Sequence, residues 1–260
     1  MKRVLSIIVN ILMLLVIHNV YADAGTVTGR LLLSDGRPLS DGQVFFFAAD
    51  SQLEKPVTGK FWRVPDAAER VDSTGRFTIQ LEAGSYYIGA IKRLSADKLG
   101  PPESGDYLLP VHDPDGKYRV ITVKNNATTD IGAIKGIQQY NSKVAPYKGP
   151  LTAIEGRIVT TSGTPVKSMY VLAYTDPAMR GRPSFVSTSS DSEGRYQLRV
   201  DKGRTFYLKV RNIYAGGKPQ AGSLVGVYGD FDQPTPVETK TSSTTTGIDI
   251  QVDAFSGGGP

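Results

Sequence analysis

The residues that could carry out chemistry in this chain are few. The chain has no cysteine and two histidines, of which His18 lies in an apolar N-terminal segment and His112 lies far downstream. Asp113 could orient His112 as a carboxylate does in a Ser-His-Asp triad, but no Gly-x-Ser-x-Gly sequence supplies the nucleophile. The lack of cysteine also removes thiolate catalysis and thiolate-bound metals. We therefore expect His112 to be a loop residue and the protein not to be an enzyme.

Two pairs of alternating carboxylates are candidate calcium ligands. Asp113 and Asp115 form one pair, and Asp230 and Asp232 form the other at the matching place in the second half of the chain. Calcium takes about six to eight oxygen ligands, and neither segment has the glutamate that closes an EF-hand loop. The Asp-Pro-Asp-Gly sequence is also typical of an ordinary turn. Both readings stay open, and the sequence indicates no other cofactor.

Three adjacent residues in a long connection are candidate binding residues. Phe61, Trp62 and Arg63 lie within residues 50–70, which show no strand periodicity. Aromatic side chains beside a polar group can stack on a sugar ring or anchor a protein interface. The alternative is that Trp62 closes the open end of its own domain. The two readings are equally supported by the sequence.

A run of aromatic residues adds a second candidate surface. In a strand over 43–48, Phe45 and Phe47 lie on the face opposite to Val44 and Phe46. A sandwich strand has one core face, so the other face is either covered by a loop or forms an apolar patch for a partner. The covered arrangement is favoured, because the connection at 50–70 is available to cover it.

The elements that must position these residues are strands. Phe77, Ile79 and Leu81 alternate with polar residues after the turn Asp72–Gly75, and a strand returns after a second turn. The same pattern recurs from Asp191 to Gly203. Bulky residues beside tight turns set the register of such a hairpin through burial.

The chain is an internal duplication. The spacing between matching positions is 127 residues at the first strand, 119 at the hairpin and 117 near the end, so the middle connection is shorter in the second copy. Matching positions are Gly29 with Gly156, Gly75 with Gly194, and Ile131 with Ile248. No helical periodicity follows the N-terminal segment, and short alternating runs between Gly, Pro and Asp turns predict an all-β fold of two tandem β-sandwiches.

This duplication predicts the domain organisation. The predicted units are a signal peptide at 1–22, a first sandwich at 25–135, a linker at 136–150, a second sandwich at 151–253 and a flexible tail at 254–260.

The repeated motif resembles a known family. The sequence Gly-Arg, then Asp-Gly-x-Pro, then Asp-x-x-Gly-Arg-Phe-x-Ile-x-Leu-x-x-Gly-x-Tyr, read from Gly29 to Tyr86, is similar to the carboxypeptidase regulatory-like domain. The resemblance implies transthyretin-like Greek-key sandwiches of about seven strands that usually act as accessory modules. It also implies carbohydrate binding as an alternative, because the related superfamily contains sugar-binding modules.

The N-terminus predicts export. Lys2 and Arg3 precede an apolar stretch that ends in Val-Tyr-Ala at Ala22, which is typical of a secretory signal peptide. Removal of residues 1–22 takes away two basic residues and no acid, so the net charge falls from +5 to +3. This small excess gives no reason to expect nucleic-acid binding. We expect no membrane insertion after cleavage, and a periplasmic, secreted or cell-surface location.

Together these features predict a non-enzymatic exported protein. Its two modules would serve as a structural or protein-interaction scaffold, with another exported or cell-surface protein as partner. The alternative is a carbohydrate-binding protein of the periplasm or cell surface that takes a glycan through Trp62 and the neighbouring loops.

Overall fold

The computed structural model describes residues 24–95, 100–113, 115–141, 147–212 and 219–257, and the predicted signal peptide lies outside them. These residues form β-strands and connections, and no helix among them is long and apolar enough to cross a membrane. The first module contains β1 (Ala24–Leu33), β2 (Gln43–Ala48), β3 (Ala67–Arg70), β4 (Arg76–Glu82), β5 (Gly84–Lys92), β6 (Tyr107–Leu109), β7 (Val120–Val123) and β8 (Thr128–Gln139). The second module contains β9 (Thr152–Thr160), β10 (Tyr170–Tyr174), β11 (Phe185–Val186), β12 (Arg195–Val200), β13 (Thr205–Arg211), β14 (Leu224–Val227), β15 (Val237–Glu238), β16 (Thr244–Thr245) and β17 (Ile250–Ala254).

Both modules share one topology. The strand order is β3-β2-β5-β6-β8-β1-β4 in the first and β11-β10-β13-β14-β17-β9-β12 in the second, with β7 on β5 and β15 on β13. Each sheet folds over on itself, so that β4-β1-β8 faces β3-β2-β5 across a core. The predicted all-β fold of two tandem Greek-key sandwiches is confirmed.

The first core is built from the inward faces of the two layers. Val27 of β1 and Phe77 of β4 meet Phe46 of β2 and Ile88 of β5 in one buried cluster. The rings of Phe46 and Phe77 lie 6.1 Å apart, edge to face. Burial of alternate residues on each strand therefore holds the layers together, at about 1.5–3 kcal/mol for each large side chain.

The hairpin turn that begins β4 is held by one carboxylate. Asp72 Oδ1 accepts hydrogen bonds from the backbone N–H of Thr74 (2.8 Å) and of Arg76 (2.9 Å). Gly75 has φ +79°, and a Cβ there would lie 2.4 Å from the Leu31 carbonyl oxygen, so only glycine fits. The bond from the Arg76 N–H is the largest cause that lowers the pKa of the Asp72 carboxyl below its usual value.

The second module repeats this turn. Asp191 Oδ1 accepts from the N–H groups of Glu193 and Arg195, both at 2.9 Å, and the bond from Arg195 is the largest cause that lowers the pKa of Asp191. The repeated motif is therefore a folding signal in both copies.

The modules differ in the strand that runs parallel to the first strand of each. β8 is continuous along β1, with register shifts, whereas β16 and β17 flank a detour at 246–249. The Tyr196 hydroxyl donates to the Ile248 carbonyl (2.7 Å) inside this detour, and Phe77 occupies the matching position in the first module. Burial raises the pKa of the Tyr196 hydroxyl, so it stays protonated as a donor.

The segment predicted as a linker, 136–150, overlaps β8 in its first four residues. Ile137 is fully buried in the first core, which explains why the strand continues to Gln139. β17 likewise runs one residue into the predicted tail, to Ala254.

Candidate functional site

The connection between β2 and β3, residues 49–66, crosses from the first module to the second; we call it the bridging loop. Phe61 in this loop is only 4% exposed and belongs to the core cluster of the second module. Its ring meets that of Phe185 edge to face at 5.6 Å, and Phe185 meets Phe206 in the same way at 5.8 Å. The second core is thus completed by a residue of the first module.

The bridging loop also extends the sheet of the second module. The Val64 N–H donates to the Ser184 carbonyl (2.9 Å), and the Val186 N–H donates to the Trp62 carbonyl (3.2 Å). Arg63 therefore forms an antiparallel bridge with Phe185 at the edge of β11. Since β3, which pairs with β2, begins at Ala67, four residues after Arg63, one stretch of backbone pairs with both modules.

Trp62 and Val64 cover the outer face of β10. They pack in a cluster with Tyr170, Leu172 and Tyr174, and Trp62 is half-buried there. Leu172 and Tyr174 are the residues of the second module that match Phe45 and Phe47 of the first. Burial raises the pKa of the Tyr174 hydroxyl, as expected for a side chain shielded from water.

Polar contacts between the bridging loop and the second module flank the apolar contacts of Phe61, Trp62 and Val64. Asp201 is 1% exposed, and its Oδ2 accepts from Arg204 Nη2 (3.0 Å) and from the Glu54 backbone N–H (3.1 Å). Arg199 Nη1 donates to the Gly59 carbonyl (2.8 Å), and Arg182 Nη1 donates to the Pro65 carbonyl (2.6 Å). Because the buried carboxylate is paired with a guanidinium and with backbone donors, its burial costs less than that of an isolated charge.

Arg63 joins the bridging loop to the outer face of the first module. Its guanidinium lies 5.6 Å from the Phe47 ring centre and forms an ion pair with Asp66 at 2.7 Å, with the arginine side chain 1% exposed. Burial lowers the pKa of Arg63, partly offset by Asp66. Phe47 itself is 6% exposed and packs with Tyr87 and Val111, so the loop covers this face.

All five predicted binding residues line one small cavity. Its volume is about 40 Å³, and the residues are Phe45, Phe47, Phe61, Trp62 and Arg63. A space of this size holds about one to three water molecules and no sugar ring. The structure thus brings the predicted residues together, but between the bridging loop and the outer face of the first module rather than on a free surface. A role for them in binding a ligand stays a prediction.

A second loop of the first module approaches the same neighbour. Arg93 Nη1 donates to the Pro101 carbonyl (3.0 Å) and to Asp106 Oδ2 (3.2 Å), which holds the loop against its own module. At Gly100, with φ +82°, a Cβ would lie 2.9 Å from the Ser187 carbonyl oxygen of the second module. Glycine is required there by this close approach of two modules.

The candidate calcium ligands are not assembled into a cluster. Asp113 pairs with Arg119, and the His112 ring contacts Tyr118 with centres 5.8 Å apart. Among the residues that the structure describes, no three His, Cys, Asp or Glu side chains are grouped as metal ligands.

No protein-family model and no curated protein matches the chain. Solved structures that align with it include a streptococcal ancillary pilin (14% identity, TM-score 0.26), which aligns over 90% of this chain and 63% of its own. Others are the shaft pilin SpaA from Lactobacillus rhamnosus GG (12%, 0.23; 91% and 100%) and the minor pilin GBS52 from Streptococcus agalactiae (12%, 0.24; 91% and 99%). The chain thus spans less than two thirds of the ancillary pilin. At these values the likeness carries no functional inference, and the resemblance to the carboxypeptidase regulatory-like domain stays a prediction.

Proposed function

We propose that the chain is a non-enzymatic exported structural protein whose two carboxypeptidase-regulatory-like sandwiches are clamped into one unit by the bridging loop. The observation that carries this proposal is the position of Phe61, which belongs by sequence to the first module and by packing to the core of the second. A clamped pair presents its outer surfaces to another exported or cell-surface protein at a fixed distance and orientation.

Three kinds of contact support the clamp. The loop contributes a core side chain, a backbone bridge at Arg63 and charged contacts at Asp201, each from a different part of its length. Domain interfaces that lack core contacts permit relative motion, whereas a shared core makes the two units unfold together.

The test is calorimetry of the full mature chain. We expect the wild-type protein to unfold in a single transition, and Phe61→Ala to split this into two, with the second module melting first. The variant loses about 3–5 kcal/mol from the second module because it removes a buried phenyl ring.

The matched control is Phe231→Ala, because Phe231 is 63% exposed in a turn of the second module. This variant should melt as the wild type does. Two independent transitions in the wild-type protein, unchanged by Phe61→Ala, would contradict the clamp.

Glycan binding is a second candidate, supported by an open groove in the second module. The groove has a volume of about 560 Å³, and polar side chains line it, among them Glu155, Arg157, Gln197 and Asp249. Side chains that both donate and accept suit sugar hydroxyls. A glycan array followed by titration with Arg157→Ala tests this candidate, with Arg30→Ala at the matching position as control; binding that both variants retain would place the glycan elsewhere.

A further inference from the structure

The outer edge of β4 in the first module is unpaired among the described residues. β4 pairs with β1 on one side. On its other side, the N–H and C=O of Arg76 bond to Asp72. Backbone groups of every second residue point to the same side of a strand, so those of Thr78 and Gln80 also point away from β1. Within the part of the chain that the structure describes, no hydrogen bond reaches these groups.

The second module protects the matching edge. Gln197 of β12 corresponds to Thr78, and Thr188 bonds both of its backbone groups, donating to its carbonyl (3.0 Å) and accepting from its N–H at the Thr188 hydroxyl (3.2 Å). Sheet edges are normally covered, charged or bulged because an open edge pairs with other strands. The first module leaves this edge open at Thr78 and Gln80, in the middle of a regular strand of seven residues.

We propose that the β4 edge is a docking site for the β4 edge of a second copy of this chain. The two strands would run antiparallel about a two-fold axis through Ile79. In this register Thr78 lies opposite the partner's Gln80, and both have their backbone groups turned outward, which makes a hydrogen-bonded pair. The two-fold axis repeats this pair as Gln80 opposite the partner's Thr78. Each pair exchanges two backbone hydrogen bonds, so the ladder has about four.

The side chains of β4 are complementary in this same register. Arg76 lies opposite the partner's Glu82, and the two-fold axis repeats the pair, so each end of the ladder joins opposite charges. Both residues are exposed in the single chain. Opposite charges placed directly across an antiparallel pair stabilise it, and like charges destabilise it. A strand with the same charge at both ends, such as Arg at both 76 and 82, would not be complementary to a second copy of itself.

The other face of β4 favours the same pairing. Phe77 and Leu81 are buried in the first core, and Ile79 between them is only half-buried at the rim of the sandwich. On the two-fold axis Ile79 would lie opposite the partner's Ile79, which covers its exposed part. The contact is isologous and closes on itself, so it makes dimers rather than fibres.

This inference rests on the proposed function in one respect: it takes the protein to be a structural protein with a protein partner, and it names that partner as a second copy of the chain. The pairing involves one short strand from each chain, so we expect a weak dimer that forms at high concentration and dissociates at high salt.

The test is sedimentation of the full mature chain over a concentration series. Wild-type protein should dimerise, and either Glu82→Arg or Arg76→Glu alone should raise the dissociation constant about tenfold or more, because each places like charges opposite each other at both ends. An equimolar mixture of the two variants should recover the dimer, as Arg at 76 and 82 in one chain then faces Glu at 76 and 82 in the other.

A backbone variant tests the ladder itself. Thr78→Pro removes an N–H that points to solvent in the single chain, a place where edge strands tolerate proline, and it should abolish the dimer. Gln197→Pro at the matching place is not equivalent, because its N–H is already bonded within the second module. Thermal melts confirm that each variant is folded.

Two results would overturn the proposal. One is a wild-type chain that stays monomeric at the highest concentration, even if its β4 edge later proves to take a strand of another protein. The other is a dimer that neither charge variant weakens. Neither bears on the clamp, because Glu82 and Arg76 lie outside the bridging loop and their variants should keep the single calorimetric transition of the wild type.

Discussion

The connection between the second and third strands is 49–66 in the first module and 175–184 in the second. Both leave the sandwich at the same place in the fold. The shorter one returns directly to its own sheet, whereas the longer one buries Phe61 in the core of its neighbour before it returns. In this duplication, the extra residues of one copy are used to join the two copies.

The turns that begin the hairpins, in contrast, are built in the same way in both modules. The turns at Asp72 and Asp191 use the same carboxylate oxygen, the same spacing of donors and a glycine at positive φ. These parts are needed for each module to fold, so they are the same in both. Three matched pairs of variants compare the copies position by position.

The largest difference is expected at a matched pair of glycines in the first strands. A Cβ on Gly156 would lie 1.9 Å from the Ile248 carbonyl oxygen, which is backbone, whereas a Cβ on Gly29 would lie 2.7 Å from Ile131 Cγ1 and 2.9 Å from the Phe77 ring, which are side-chain atoms. Gly156→Ala should cost about 3 kcal/mol or more and Gly29→Ala less, about 2 kcal/mol, because the Ile131 and Phe77 side chains can shift by a few tenths of an ångström more readily than a backbone carbonyl can. Urea denaturation measures both, and equal losses would contradict the comparison.

A smaller difference is expected at Asp201, which directly follows β12, and its counterpart Glu82, which is the last residue of β4. Asp201 is buried and pairs with Arg204 and the bridging loop, whereas Glu82 is exposed. Asp201→Asn should lower the free energy of unfolding by about 2 kcal/mol, because the guanidinium loses its charged partner. Glu82→Gln, measured on dilute protein, should change it by less than about 0.5 kcal/mol. An Asp201→Asn variant with the same free energy of unfolding as the wild type would show that this contact does not hold the bridging loop in place.

The smallest difference is expected between the two turn carboxylates. The pKa values of Asp72 and Asp191 are both lowered in the folded protein, so each stabilises the fold above the unfolded value of 3.8, and this stability is lost as the pH falls through the lower folded value. Asp72→Asn and Asp191→Asn should therefore destabilise their modules at about neutral pH and lose this effect in acid. Urea denaturation of each variant at neutral pH and in acid checks this. A loss of stability that persists in acid would exclude the carboxylate charge as its cause.

Much of the fold could be predicted because its signals are local. Alternation around Phe77 and Tyr196 predicts the strands, and Asp and Gly at fixed spacing predict the turns. The duplication then predicts two sandwiches from matching positions alone. The end of β8 could not be placed this way, because Ile137 is buried by its neighbours in space rather than by any pattern of its own.

The site could be predicted only in part. The sequence shows an insertion, an aromatic face at Phe45 and Phe47, and a loop long enough to cover that face. It does not show that Phe61 and Trp62 turn to the other module, since this choice depends on contacts with Phe185 and Tyr170 more than a hundred residues away. No local propensity encodes such a partner.

The position of Phe61 has a consequence for how the protein is made. Its core cluster includes Val252, which is synthesised 191 residues later. While the chain is synthesised from its N-terminus, this apolar ring therefore has no permanent site until almost the last strand has emerged. The second core therefore stays incomplete until synthesis is nearly finished, and apolar surface that is exposed for that time makes a partly folded chain prone to aggregate.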